Sequence, residues 1–385
     1  MNLILNPARR MSMEDNEAPL LESLESEEQD HSESLRPYEI LTYPADFTLE
    51  VLVDKWHKKE ITVPEIQRGF VWSQARASKL IESFLLGLPV PPVFFYQDRV
   101  DSHLLVVDGQ QRLLSIAYFF SGVFGDPERE KKVASFNLIN LGKSNPFNNL
   151  TYTQLEKNDP ASYNRLKNSV LRSYVMKQLD PQDDDTSIFE VFERLNTGGV
   201  ALEGQEIRNC IYYGNFNNLL RELNKTPTWR KIIGRDAEDK RMRDVELVLR
   251  FLALFYNLKK YEKPMKNFLN VFVKANRNVS PERAQQFTNL FTRTANVVID
   301  YLGERPFHIR KGLNAAVFDS VFTAFARNLD PDSEKPLGNL TKESLRINFK
   351  KLIGDTDYSY LISSATTNTD VVPRRIEIAE RILFR

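Results

Sequence analysis

Residues 103–112 constrain the fold of this chain most, because they place polar groups between a strand and a helix. Their sequence is HLLVVDGQQR, in which the β-branched pair Val106 and Val107 is typical of a short buried strand. Asp108-Gly109 is a turn dipeptide. Beyond it, apolar residues recur with a helical period at Leu113, Leu114, Ile116, Ala117, Phe119 and Phe120. The segment therefore predicts a strand that runs through a tight turn directly into a helix.

Such a junction favours the binding of an anion, typically a phosphate. Unpaired backbone N–H groups and the positive end of the helix dipole meet at the first turn of a helix. We expect Arg112 to pair with phosphate and Asp108 to hold a metal ion or polarise water. The glutamines Gln110 and Gln111 would position either partner. The same residues also fit a structural turn in which Asp108 caps the helix, so both interpretations stay open here.

Two other segments combine Arg with Gln or Asn among apolar residues. Residues 61–72 read ITVPEIQRGFVW, with Gln67-Arg68 ahead of a closing Trp72. Residues 192–209 read FERLNTGGVALEGQEIRN, a helical pattern that breaks at residues 196–199 and restarts at Leu202. Each segment has a structural alternative, namely a loop anchored by Trp72 and a helix–turn–helix corner capped by glycines. Together, the three segments favour one shared site.

These segments resemble the signatures of the N-terminal domain of the GmrSD-type modification-dependent restriction endonucleases. The hallmark DGQQR box of that family matches residues 108–112 without a departure. A second box, QR-aromatic-x-W, matches Gln67, Arg68, Phe70 and Trp72. A third box, F-x-R-L-N-x-G-G-x-x-L, is followed by Glu206 and matches Phe192, Arg194, Leu195, Asn196, Gly198, Gly199 and Leu202. The resemblance covers residues 40–215 and extends more loosely through residues 240–254.

The resemblance implies a ParB/sulfiredoxin-like fold and nucleotide binding, with NTP hydrolysis in some members, in defence against foreign or modified DNA. On this basis we expect a nucleoside triphosphate with Mg²⁺ at Asp108, and catalytic roles for Asp108, Gln111 and Arg112. Nucleotide contacts are expected from Gln67, Arg68, Gly109, Gln110, Arg194 and Asn196. Phosphoryl transfer needs positioning and charge neutralisation more than covalent help, so this set of side chains is chemically sufficient.

Composition limits the class of protein. With 385 residues, 42% of them hydrophobic and 27% charged, the chain has room for two globular domains. A single cysteine, Cys210, excludes an internal disulfide and a cysteine-based zinc site. The sequence has no run of 18 apolar residues and no signal-peptide pattern, so we expect no membrane contact and a cytoplasmic location.

The net charge of zero hides an asymmetry between the first 35 residues and the rest. Residues 11–35 contain nine Asp and Glu residues and no Lys or Arg, which predicts a disordered acidic leader. Because Arg9 and Arg10 precede that run, residues 36–385 carry a net charge of +7. A mildly basic body permits contact with DNA. The leader either solubilises the chain, which we favour, or masks a basic face.

Periodicity predicts an α+β protein, with a small mixed domain followed by a mainly α-helical half. A helix is predicted over 76–87, paired strands over 93–96 and 104–107, and a further strand over 136–141. From about residue 150 onward the pattern is helical, including 188–195, 205–213, 245–258 and 317–326. We divide the chain into the leader (1–35), a nucleotide-binding domain (36–215) and a helical C-terminal domain (216–385).

Several enzyme motifs are excluded. Gly142-Lys143-Ser144 resembles the end of a Walker loop, but Asn137 stands where the required glycine would be. The histidines His31, His57, His103 and His308 are too scattered for the HNH nuclease that many relatives carry. The resemblance therefore implies an NTPase without a Walker loop, and the missing nuclease motif favours a separate nuclease as its partner. Two alternatives stay open: a non-enzymatic switch that binds nucleotide or DNA, and a ParB-like DNA nuclease.

Overall fold

The computed structural model describes residues 38–63, 70–97, 103–125, 134–180, 186–195, 203–212, 214–309, 312–330, 333 and 336–385. The acidic leader lies outside these residues. The chain divides into two compact units. The first unit holds the described residues up to Asn217 together with Val273–Asn278, and the second holds Asn218–Phe272 and the described residues from Val279 to Arg385.

The first unit is built on a mixed sheet. In chain order its described strands are β1 (Glu39–Pro44), β2 (Phe47–Thr48), β3 (Ile61–Thr62), β4 (Val93–Gln97), β5 (Leu104–Asp108), β6 (Val123–Phe124), β7 (Ala134–Ser135), β8 (Val170–Leu171) and β9 (Ser173–Asp180). Five of them form the main sheet in the order β1-β9-β4-β5-β3, while β2 pairs with β8 and β6 with β7. β4 lies antiparallel to β5 and parallel to β9, and β3 lies parallel to β5.

Helices of the first unit begin and end where the sequence supplies caps. They are α1 (Leu49–His57), α2 (Gln74–Leu86), α3 (Gln110–Ser121), α4 (Tyr152–Asn158), α5 (Pro160–Asn168), α6 (Thr186–Leu195) and α7 (Gly204–Ile211). The Ser73 hydroxyl accepts a hydrogen bond from Arg76 N at the start of α2, and Gly87 ends that helix at a φ of 72°. One face of α2 is buried in the core through Leu80, Ile81, Phe84 and Leu85. The predicted helix and the predicted β4–β5 pair are confirmed.

Two sequence expectations for this unit are wrong. Residues 136–141 form no strand: Leu138 N donates to Leu150 O at 2.9 Å and Ile139 N donates to Ser78 Oγ at 3.0 Å. Phe136 and Leu138 are buried, but their backbone bonds go to a turn and a helix rather than to a neighbouring strand. Conversely, β9 is an interior strand of the sheet, between β1 and β4, in a region expected to be helical. Its buried Ser173 and Gln178 interrupt the apolar alternation that marks a strand.

From Asn215 onward the described residues are mainly helical, as the period of the sequence predicts. The helices are α8 (Asn215–Asn224), α9 (Pro227–Ile233), α10 (Arg243–Asn257), α11 (Met265–Asn276), α12 (Pro281–Leu302), α13 (Ala315–Asn328), α14 (Lys342–Gly354), α15 (Thr356–Leu361) and α16 (Val371–Phe384), with a 3₁₀ turn at Leu258–Lys260. A mixed sheet followed by these helices confirms the α+β class. Within the described part of the chain, no helix has the length and apolar character that crossing a membrane requires.

An aromatic cluster forms the centre of the second unit. The rings of Phe251 and Phe322 lie 4.7 Å apart, and Trp229 contacts Phe291 and Phe318 at 5.4 and 5.3 Å. All five side chains are fully buried, and edge-to-face pairs of this kind add to the stabilisation from apolar burial. The second unit therefore has a hydrophobic core of its own.

Candidate functional site

The DGQQR segment forms a strand–turn–helix junction, as its sequence predicts. β5 ends at Asp108, and α3 begins at Gln110. Between them, Gly109 adopts a φ of 101°, a left-handed conformation that favours glycine. A Cβ at this position would also overlap Val93 Cγ1 on the neighbouring strand. Glycine is therefore required here both for the turn and for the close approach of the two strands.

Arg112 is held across this turn by two acceptors. Its Nη2 donates to Asp108 Oδ2 at 2.7 Å and to the Pro92 carbonyl at 3.0 Å. The Arg112 side chain is 17% exposed and that of Asp108 is 38% exposed. Nε of Arg112 is buried and has no hydrogen-bond partner among the described residues. The guanidinium is thus fixed in orientation while part of its donor capacity remains unused.

The helix N-terminus carries no side-chain cap. The N-cap residue is Gly109, which rules out the alternative in which Asp108 caps α3. The Gly109 carbonyl accepts the Leu113 N–H at 2.9 Å, which is the first bond of the helical ladder. The N–H groups of the first turn precede that bond, so they and the positive end of the helix dipole are available to an anion.

Gln111 connects the junction to the second sequence box. Its Oε1 accepts hydrogen bonds from Val71 N at 3.0 Å and from Trp72 N at 3.2 Å. The carbonyl of Gln111 therefore holds the end of the residue 67–72 segment beside the loop, which leaves only its amide N–H groups for a ligand. Gln110 is 8% exposed, so its side chain is largely buried.

The aromatic residues of the second box have a packing role. Phe70 contacts the rings of Tyr118 and Phe124 at 5.0 and 5.3 Å. Trp72 packs against the core, and the Arg76 guanidinium lies 4.4 Å from its ring centroid. Arg76 is a cation beside the loop that our sequence analysis missed, because an isolated arginine in a helix carries no motif. Gln67 and Arg68 themselves lie outside the described residues.

The third box is also brought to the junction. α6, which carries Phe192 and Arg194, packs against β5, the strand that ends at Asp108. Phe192 is fully buried and Arg194 is exposed in the last turn of the helix. Asn196 lies outside the described residues. Two predicted site residues of the first unit, Asp108 and Arg112, are therefore in direct contact, while Arg194 lies in the last turn of the helix that packs against β5.

Beyond the third box, α7 buries four polar side chains. They are Gln205, Glu206, Arg208 and Asn209, each at most 5% exposed. Arg208 Nε donates to Gln205 Oε1 at 2.9 Å, and Glu203 N donates to Glu206 Oε2 at 2.7 Å. Burial of this many polar groups on one short helix is unusual unless they are hydrogen-bonded. Sequence analysis noted Glu206 and Arg208 but missed that they form part of a buried polar cluster.

Carboxylates are sparse around the junction. Among the described residues, no three His, Cys, Asp or Glu side chains come together in a way that would hold a metal ion. Asp108 is already paired with Arg112 through one oxygen. A lone carboxylate suits Mg²⁺ only when substrate phosphates supply further oxygen ligands.

Comparison with known proteins finds one similarity, which lies within the first unit. Residues 49–213 match the family model described as the GmrSD restriction endonuclease, N-terminal domain. The match contains all three sequence boxes and ends two residues after α7. No curated protein and no solved structure matches the chain.

Proposed function

Because residues 49–213 form a domain of the GmrSD restriction endonuclease N-terminal family, we propose that the chain is a component of a restriction-type defence system directed at DNA. In this proposal the Asp108–Arg112 loop binds a nucleoside triphosphate and promotes its hydrolysis. The observation that carries the proposal is the uncapped N-terminus of α3 with an oriented guanidinium beside it. These are the two features from which phosphate sites are commonly built.

Each residue of the loop has a distinct task in this proposal. Gly109 brings the backbone close to the phosphates, and the first-turn N–H groups of α3 donate to them. Arg112 supplies charge and N–H donors in a fixed orientation, which lowers the entropy lost on binding. The Gln110 and Gln111 amides position the terminal phosphate or the attacking water. Arg68, Arg194 and Asn196 complete the phosphate contacts.

In this proposal Asp108 acts in the hydrolysis step, as a base or as a metal ligand. Its partly exposed carboxylate, at the end of a strand, would accept a proton from the attacking water or would contribute one oxygen to Mg²⁺ bound by the phosphates. Mg²⁺ supplies neutralisation of phosphate charge when bound.

A separate nuclease completes the system. No HNH spacing is present among the four histidines of the sequence, so we propose that cleavage of DNA belongs to a partner protein. The second candidate function is a non-enzymatic switch in which bound nucleotide changes the affinity for that partner or for DNA. The buried polar helix α7 favours keeping this candidate, because coupling between sites can be carried by a hydrogen-bond network that has two discrete arrangements.

Calorimetric titration of the purified chain with ATP, GTP, CTP and UTP, each with Mg²⁺, tests the nucleotide site. We expect at least one to bind. Arg112→Lys keeps the charge but loses the planar fork, so it should weaken binding by roughly 1–3 kcal/mol. Arg165→Lys is the matched control, because Arg165 also donates to a backbone carbonyl, that of Leu85, but at a different place in the same unit.

Asp108→Asn separates binding from hydrolysis. We expect this variant to retain most of the nucleotide affinity and to lose turnover, measured as release of inorganic phosphate. Binding without any turnover in the wild type would favour the switch. Absence of binding for all four nucleotides, with and without DNA, would contradict the phosphate site.

A further inference from the structure

Positive charge is concentrated in the second unit. Residues 218–272 and 279–385 contain 28 Lys and Arg against 20 Asp and Glu, a net charge of +8 in a chain whose total is zero. This unit lies outside the segment that matches the family model. This excess of positive charge favours the binding of an anionic partner, and it does so independently of the Asp108 loop.

A cleft of about 290 Å³ opens on this unit. It lies between the loop that follows α12 and the C-terminal half of α14, and its lining residues are Pro306, His308, Ile309, Phe349, Lys350 and Ile353. The walls combine an aromatic ring and aliphatic side chains with two nitrogen-bearing side chains. A cleft of this size and composition fits one flat aromatic ligand group, such as a nucleobase.

Two exposed cations belong to the cleft or to its immediate neighbourhood in the chain: Lys350 lines it, and Arg305 directly precedes the lining residue Pro306. Arg305 adopts a φ of 55°, a conformation that residues with a side chain adopt rarely. Its side chain lies directly over Gly234, where a Cβ would be 2.7 Å from Arg305 Nε. Lys350 is exposed on the opposite wall. Within the described residues neither cation pairs with a carboxylate, whereas nearby Lys342 pairs with Asp300.

His308 provides a neutral polar group on the wall. Burial, together with the positive charges of Arg305 and Arg235, holds the pKa of His308 below its ordinary value, so the imidazole is uncharged at pH 7. Its Nδ1 has no hydrogen-bond partner among the described residues. The cleft thus offers an apolar surface with a polar nitrogen near it.

We propose that this cleft and its rim bind one nucleotide of a DNA strand, with the base against Phe349 and the flanking phosphates on Arg305 and Lys350. Proteins that bind single strands combine aromatic stacking with a cationic path for the backbone, and this surface holds both. The acidic leader also complements the charge, but residues 11–35 contain no Phe, Tyr or Trp to occupy the cleft. The site goes beyond the proposed nucleotide hydrolysis and does not depend on it.

Fluorescence anisotropy with a labelled oligothymidylate, without any nucleoside triphosphate, tests the cationic rim in the full chain. Arg305→Gln combined with Lys350→Gln should weaken binding about tenfold at 0.1 M salt. It should also reduce the slope of log affinity against log salt concentration by about one for each charge removed. Lys259→Gln combined with Lys260→Gln is the control. It removes the same charge from the exposed 3₁₀ turn beside Tyr261, which contacts Thr367 rather than the cleft. We expect this control to change affinity less than about twofold.

Abasic DNA tests the stacking role of Phe349 without relying on the fold of one variant. The wild type should lose affinity about fivefold or more when the oligonucleotide is replaced by one with abasic positions. Phe349→Ala should bind both oligonucleotides equally. Equal sensitivity to abasic positions in the wild type and the variant would overturn the base-binding role.

Two further outcomes would overturn the proposal as a whole. The first is equal DNA affinity in the rim variant and its control. The second is a rim variant that binds DNA normally but has lost self-association, or lost binding of a synthetic peptide of residues 11–35, which would assign the face to a protein contact. Failure of nucleotide titration at the Asp108 loop would affect neither result, because no nucleoside triphosphate is used.

Discussion

At the scale of single residues, the ion pair between Asp108 and Arg112 orients the guanidinium more than it stabilises the fold. The two residues are four positions apart, and the carboxylate side chain is 38% exposed. Partly exposed pairs of this spacing contribute only about 0.3–0.5 kcal/mol to stability. Two acceptors nevertheless hold one nitrogen of the guanidinium, through contacts of 2.7 and 3.0 Å. The consequence of the pair is an arginine whose remaining donors have a defined direction at the start of α3.

His308 gives the second unit a pH dependence with a definite sign. Burial and the neighbouring Arg305 and Arg235 lower the pKa of His308 in the folded chain. As the pH falls through about 6.5, the unfolded chain takes up a proton that the folded chain resists, so folding loses stability toward acid. Above that pH the full stability is present. We expect the urea concentration at the unfolding midpoint to be lower at pH 5.5 than at pH 7.5.

The variant His308→Asn isolates this contribution. The other three histidines are the same in both proteins, so the difference between the two pH profiles belongs to position 308. The variant should lose less stability than the wild type over the same pH range, whatever its stability at pH 7.5. Parallel profiles would show that His308 is protonated equally in the folded and unfolded chains.

At the scale of elements, a buried ion network joins three helices of the second unit. Asp319 on α13 accepts from Arg250 on α10 at 3.1 and 2.6 Å, and from Arg375 on α16 at 3.0 Å. All three side chains are at most 1% exposed. Removing the Asp319 carboxylate takes this counter-ion from two buried guanidinium groups, and Arg250 then keeps the longer contact of 3.8 Å to the Glu246 carboxylate. We therefore expect Asp319→Asn to destabilise the unit by about 3–5 kcal/mol.

Asp300→Asn is the matched control for this prediction. It makes the same chemical change in a pair with Lys342 whose side chains are both more than half exposed, so it should cost less than about 1 kcal/mol. Urea unfolding gives both values, and hydrogen exchange in α16 assigns the transition to the second unit. A loss below about 1 kcal/mol for Asp319→Asn would mean that water or rearrangement solvates the two arginines.

Prediction from the sequence succeeded for elements whose periodicity and caps agree, and failed where buried polar groups hide the period. α2 has an apolar face, a serine N-cap and a glycine C-cap, and all three can be recognised in the amino-acid sequence. β9 was missed because its inward side includes Gln178, which is satisfied by the Ser187 hydroxyl from another element. The same limit applies to the site. The DGQQR turn is local and was predictable, whereas the bonds of Gln111 to Val71 and Trp72 span about 40 residues and leave no local signal.

At the scale of the whole molecule, charge is separated along the chain. The leader carries the acidic excess, and the second unit carries a net charge of +8. Opposite charges on one chain attract each other over roughly 10 Å at 0.1 M salt and over longer distances at lower salt. Two roles for the leader follow from this, namely solubility alone or competition with DNA for the basic unit.

Deletion of residues 1–35 distinguishes these roles. Because the leader is predicted to be disordered and has little apolar surface to bury, its removal should leave the melting temperature nearly unchanged. We favour the solubilising role, and we therefore expect DNA affinity to stay constant in anisotropy measurements at 0.15 and 0.03 M salt. Competition would instead raise the affinity on deletion, most strongly at low salt, since unscreened charges act furthest there. A several-fold gain at low salt that disappears when Arg305 and Lys350 are also replaced would contradict the solubilising role. A large fall in melting temperature would contradict the predicted disorder.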